Sequence, residues 1–194
     1  MRKNKLLVLF LLIVIFSIIF LFNFNKSQVV GNEKIISEIN HLLIPLESKT
    51  LTENDFSKLK EMVKSDSIAS DEVNELILLA KYKEYSHIGH GLGFLYDYIK
   101  TGKKPICPGH SLSHYYVFFS HGEIETANSN LEEAKTNFPI WNSKMISYNE
   151  TFRSEQNYTM YSNLINSSLG KIKNGNNNAS DVEISNLAEA PCVN

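Results

Sequence analysis

Runs that alternate apolar and polar residues, the mark of half-buried strands, are almost absent from this sequence, so a sheet is not expected to organise it. A basic surplus is lacking too. Nineteen Lys and Arg stand against 21 Asp and Glu. Setting aside Arg2, Lys3 and Lys5, which precede a long apolar run, leaves 16 against the same 21, five net negative charges. A protein that tracks phosphates needs a basic face, so nucleic acid is excluded as a partner. No Gly-x-Ser-x-Gly elbow occurs, and Ser111, Ser113 and Ser120 are not read as nucleophiles although histidines neighbour them. No Cys-x-x-Cys-His occurs, which rules out covalently attached c-type haem. No catalytic residue is assigned.

The longest apolar run, Leu6 to Phe22, has three cations before it and only Lys26 and Lys34 soon after. At 1.5 Å per residue it makes a helix roughly 26 Å long, close to the hydrocarbon thickness of a bilayer. A signal peptide usually has a shorter apolar core and a small-residue cleavage pair. Asn23-Phe24-Asn25-Lys26 offers no such pair, and Val29-Val30-Gly31 only a weak one. The run is therefore expected to be an uncleaved signal anchor in membrane lipid. Its N-terminus faces the cytoplasm and the bulk of the chain lies outside. The organisation expected is a cytoplasmic tip and transmembrane helix over 1–24, a stalk over 25–32, and one helical domain over 33–194.

Cysteine is scarce, only Cys107 and Cys192. In an oxidising compartment an even pair points to a disulfide, closing a loop of 85 residues. Five Asn-x-Ser/Thr sequons occur, at Asn25, Asn149, Asn157, Asn166 and Asn178. Asparagine, serine and threonine are common enough to place about three by chance, so the sequons are a weak indication of glycosylation.

Helical periodicity fills the rest, and the fold class expected is all-α, an antiparallel bundle. A first helix spans 33–47 and ends by Pro45. Thr52 caps a second, with Glu53 and Asp55 in its first turn. Ser70 caps a third, running from Val73 to about Lys100. Breakers at 101–109 turn the chain, and Pro108 opens a fourth helix toward Thr136. Pro139 interrupts the pattern, which resumes from Ile140. Tyr158, Tyr161, Ile165, Leu169 and Ile172 mark a further face. Asn-rich residues 174–179 form a flexible linker, and Ser180 caps a last short helix.

Five of the six histidines, His87, His90, His110, His114 and His121, fall within 35 residues. Glu84 and His87 interrupt the apolar stripe of the third helix. His110, His114 and His121 lie on one face of the fourth, given 100° per residue. A hairpin turning near 104–105 places His121 beside His87. It predicts a cluster of Glu84, His87, His90 and His121, with His110 and His114 as a second pair. Imidazoles at i, i+3 or i, i+4 can share an ion, and imidazole suits copper, zinc or iron. Glu84-x-x-His87 and His110-x-x-x-His114 echo the ligand spacings of carboxylate-bridged iron bundles and haemerythrins. Ferritin-like proteins need two Glu-x-x-His helices, and no family is assigned.

Gly89-His90-Gly91-Leu92-Gly93 is unusual inside a helix, and close packing through Gly89 and Gly93 is expected of it. No strand precedes it, so it is not a phosphate loop. Nine of the 21 aromatics lie between Tyr82 and Phe119. Tyr115-Tyr116-Val117-Phe118-Phe119 is apolar around most of its helix, hence either buried or a docking surface.

Two functions follow. The first is a membrane-anchored domain outside the cytoplasm that binds a transition metal through its histidine hairpin. The second is a non-enzymatic accessory subunit of a membrane complex, docking through the aromatic hairpin. A third, pH sensing by the same histidines, has the least to favour it.

Overall fold

The computed structural model describes residues 31–152 and 155–193, without the side chains of 148–152 and 155–157. The expected anchor, nearly all of the stalk, and the sequon at Asn25 lie outside the described residues. Among those described, no helix is long and apolar enough to cross a membrane. Over the described residues the architecture is all-α, with no strand and only an isolated antiparallel bridge between Ile106 and Val193.

Helix α1 covers 31–47, so it takes in the last two stalk residues and runs past Pro45. Its residues Ile39 and Leu42 are buried. A 3-10 turn at Glu53–Phe56 leads into α2, Ser57–Val63. Thr52 sits before the turn as expected, its backbone N–H and hydroxyl both donating to Asp55. Helix α3 is Ser67–Tyr82 and α4 is Tyr85–Thr101. One helix was expected here, but the chain breaks at Lys83, which is left-handed at φ 60. The Lys83 N–H bonds Ala80 O and the Glu84 N–H bonds Leu79 O, closing the end of α3 in the manner of a Schellman motif. The N-cap of α3 is Asp66, four residues before the expected cap Ser70, and it accepts from the Ala69 N–H.

Helix α5 is Pro108–Ser120, with proline in its first turn as expected. Here too the longer expected helix is divided. Gly122 adopts φ 78, and α6, Ile124–Phe152, starts just beyond. Helix α6 then passes straight through Pro139. Its buried Trp141 and Met145 continue the core stripe past the one backbone donor that proline removes. Helix α7, Glu155–Lys173, buries Ile165 and lays Tyr158, Tyr161, Leu169 and Ile172 against the core. Helix α8, Asp181–Ala188, is capped by Ser180, which accepts from the Glu183 N–H. The Asn-rich segment before it is tied down, because Tyr115 donates to the Asn177 side chain at 2.9 Å.

Packing pairs α3 with α4, and α5 with both α6 and α8. The expected α4–α5 hairpin is thus not the main contact of α5. Helix α5 is buried nearly all round, from Pro108 to Phe118, and behaves as the central rod of the bundle. Its aromatic run is core, which leaves docking through it without the exposed surface that reading needs. Cys107 and Cys192 are joined in a disulfide that ties the C-terminal segment to the start of α5. Of the sequons, Asn166 and Asn178 are exposed, while the side chains of Asn149 and Asn157 lie outside the described residues.

Candidate functional site

The break at Lys83 and the second at Gly122 decide where each histidine goes. On α3, Glu72 and Glu75 are three residues apart and so share one face. Opposite them, α5 presents His110 and His114, one turn apart, with ring centroids 4.0 Å from each other. From α4, His87 approaches His114 at 6.2 Å between centroids, and Phe94 stacks on His110 at 5.4 Å. His87, His110 and His114 are all buried.

This arrangement differs from the expected one. His121 is the residue after α5, exposed at the bundle surface. It stacks on Tyr82 at 4.0 Å and meets Glu84 at 2.9 Å. Glu84 and His121 are therefore neighbours as expected, but they stand apart from His87. His90 turns away as well, donating its Nδ1–H to the Ala188 carbonyl at 3.0 Å. Of the six expected residues, three meet: His87, His110 and His114. The two carboxylates that meet them, Glu72 and Glu75, were missed. The signal was there in part, since Glu72 shares a 3–4 spaced stripe with Leu76 and Leu79, both buried.

Contacts within the cluster are uneven. His114 Nδ1 lies 2.8 Å from Glu75 Oε2, and Asn130 donates to Glu75 Oε1 at 2.8 Å. An Nδ1–H directed at a carboxylate leaves the His114 Nε2 lone pair free. Glu72 Oε1 faces His110 Nε2 at 3.6 Å, too far for a hydrogen bond. Four buried side-chain atoms here have no hydrogen-bond partner: Glu72 Oε1, His87 Nδ1, His110 Nε2 and His114 Nε2. Such an atom costs about 1–3 kcal/mol when left unpaired.

Burial sets the charges. It pushes the Glu75 carboxyl up to about 7 and takes the His87 imidazole down to about 4. Burial, with the neighbouring His110, also holds His114 well below its ordinary value. For His110 burial acts in the same direction, but Glu72 and then Glu75 and Glu133 together outweigh it, leaving the imidazole above its ordinary value. At neutral pH His87 and His114 are therefore neutral imidazoles, the form in which a ring nitrogen can ligate a divalent ion, while His110 faces Glu72.

The expected glycine packing is also corrected. A Cβ on Gly93 would touch nothing, and one on Gly89 would make only an ordinary 3.7 Å contact with Leu46. The close approach is at Gly91, where a Cβ would lie 2.7 Å from both Glu72 Oε1 and Leu76 Cδ2. Gly91 is thus the gap that admits the Glu72 carboxylate between α3 and α4.

Beside the cluster a cavity of about 400 Å³ opens between α3 and α6, with Glu72, Glu75 and His110 on its inner wall. Among the described residues, no three His, Cys, Asp or Glu side chains already converge at metal-binding spacing. Compared with protein-family models, curated proteins and solved structures, the chain matches none of them.

Proposed function

We propose that this protein is a membrane-anchored helical domain that binds a transition metal, copper, zinc or iron, at the cluster of Glu72, His87, His110 and His114. One observation carries the reading: the four unpartnered buried atoms of this cluster are the kind of donors such an ion takes. Two ligands about 2.0–2.1 Å from a tetrahedral ion stand roughly 3.3 Å apart. The 3.6 Å between Glu72 Oε1 and His110 Nε2 is close to that separation. Glu75, bonded to His114 Nδ1, supplies the carboxylate that fixes a ligand imidazole's tautomer. The remaining rings must rotate to close on the ion, since no three groups converge as they stand.

Cobalt(II) tests this directly, because a tetrahedral nitrogen and oxygen site gives it visible absorption bands. The full-length chain in detergent is expected to develop those bands at one equivalent. His110→Asn and His114→Gln should abolish them. His90→Asn and His121→Asn, both away from the cluster, should leave them intact. Absence of bands in the wild type, or their loss only in the second pair of variants, would overturn the assignment.

The apolar run Leu6 to Phe22 and the cations before it support an anchor with the domain outside the cytoplasm. A protein partner in the membrane is a weaker second reading, because α5 offers it no exposed aromatic face.

A further inference from the structure

We infer that the C-terminal segment 187–193 is a redox-released strap that holds His90 out of the histidine cluster, a regulation that rests on the ion-binding reading. The strap crosses three helices. On α4, His90 Nδ1 meets the Ala188 carbonyl at 3.0 Å, and on α6 the Trp141 indole donates to the Pro191 carbonyl at 2.6 Å. Leu187 and Ala190 lie against Gly109 at the start of α5, and Val193 pairs with Ile106 through two backbone hydrogen bonds. The covalent hold is the Cys107–Cys192 bridge, whose Cys107 is buried and whose Cys192 is exposed. Exposed bridges are the ones open to exchange. What the strap withholds is a ligand. His87 and His90 are three residues apart on α4 and so share a face. His90 is near enough for its charge to bear on both His87 and His114. Freed from Ala188, its ring can turn toward their unpartnered nitrogens, and imidazoles at this spacing can share an ion. Release takes a dithiol. One of its thiolates attacks the Cys192 sulfur, the S–S bond breaks, and Cys107 leaves as a thiolate that takes up a proton. The second thiol then displaces Cys192, so the bridge gains two electrons and two protons and the dithiol becomes a disulfide.

Two measurements on the full-length chain in detergent test this, at about pH 8, where a free imidazole is neutral. The first is metal-free and reads the ring-nitrogen NMR shifts of His90. In the bridged chain the ring is expected as the Nδ1–H tautomer that donates to Ala188, and dithiothreitol should convert it mainly to the Nε2–H form. The second is a cobalt(II) titration of the combined Cys107→Ser and Cys192→Ser variant, whose hydroxyls cannot bridge and add no thiolate ligand. This variant is expected to bind cobalt roughly tenfold tighter than the bridged chain, taking as a floor what an outer partner of a metal ligand contributes. Adding His90→Asn to it should remove the gain. An Nδ1–H tautomer that survives reduction, no gain in affinity, or a gain that His90→Asn leaves in place would each overturn the inference. So would loss of helical circular dichroism on reduction, which would make the bridge a staple of the whole bundle. Cobalt bands with an unchanged tautomer sink this inference alone. A changed tautomer without cobalt bands in either form supports the strap's release and sinks the ion reading alone.

Discussion

His87 has an imidazole held at about 4 by burial, against 6.5 in an unfolded chain. Between those values the unfolded state holds the extra proton, so acid favours unfolding. The stability that comes from burying this ring neutral is complete above pH 6.5 and is lost as pH falls toward 4. At about 1.4 kcal/mol per unit the full effect is on the order of 3 kcal/mol. Glu75 acts in the opposite sense. With its carboxyl raised to about 7, the folded chain holds the extra proton between 7 and 4.5, and acid stabilises it over that range. The two trends overlap, so the readout is a difference. Urea unfolding of wild type and His87→Gln, both in chelator, should give stabilities that draw together by about 2–3 kcal/mol between pH 7 and pH 4.5. A constant gap would show that His87 does not carry the acid sensitivity. At this scale the histidines were legible in the sequence as an inward-facing group, and His87, His110 and His114 do meet. Their carboxylate partners were not. Starting α3 at Ser70 puts Glu72 in the first turn, where an acid serves the helix dipole. With Asp66 as the true cap, Glu72 lies a turn deeper and among core residues.

Between elements, register decides which side chains share a point. The two missed breaks differ in how far the sequence announces them. Gly122 is the residue type that a left-handed helix end favours, and its φ of 78 uses that freedom. Lys83 is not, and nothing in Tyr82-Lys83-Glu84 signals a stop. Once the chain turns there, α4 restarts in a new phase, burying Ile88, Leu92, Leu95 and Ile99. His121, read as helical, became a surface residue because α5 had already ended. The second determinant of register is the C-terminal segment, seated on the start of α5. A Cβ at Gly109 would come within 2.4 Å of the Leu187 carbonyl oxygen and 2.5 Å of Ala190 Cβ. A backbone oxygen cannot swing aside as the Glu72 carboxylate facing Gly91 can. Gly109→Ala is therefore expected to cost about 1–3 kcal/mol by forcing α8 off α5. Gly91→Ala should cost less stability while displacing Glu72. Thermal unfolding of the two variants checks the order, and a Gly109→Ala protein as stable as wild type would show that α8 does not seat there.

For the molecule as a whole, the all-α class, the acidic character and the cysteine pair were legible from composition, while the packing of α5 on α6 and α8 was not. Composition carries no information about which helices a buried rod chooses as neighbours. The cysteine pair links fold to compartment. Cys107 and Cys192 close a loop with a sequence separation of 85 residues. Loop-closure entropy assigns such a bridge roughly 4–5 kcal/mol, a large share of a domain's usual stability. The segment it secures also lends the Pro191 carbonyl to the Trp141 indole N–H at 2.6 Å, so its release would loosen a fully buried side chain. A bridge of this weight persists only where thiols are not continuously reduced, which agrees with the proposed export behind the Leu6–Phe22 run. In cells expressing the full chain, the protein should resist carbonate extraction from membranes, and neither cysteine should react with maleimide until a reductant is added. The same reduction should lower the unfolding midpoint of the purified chain by roughly 10 °C or more, given about 2–4 °C per kcal/mol for a domain of this size. Free thiols on an extraction-resistant chain would place the domain on the reducing side and remove the compartment argument, leaving the bundle and its buried histidines as they are.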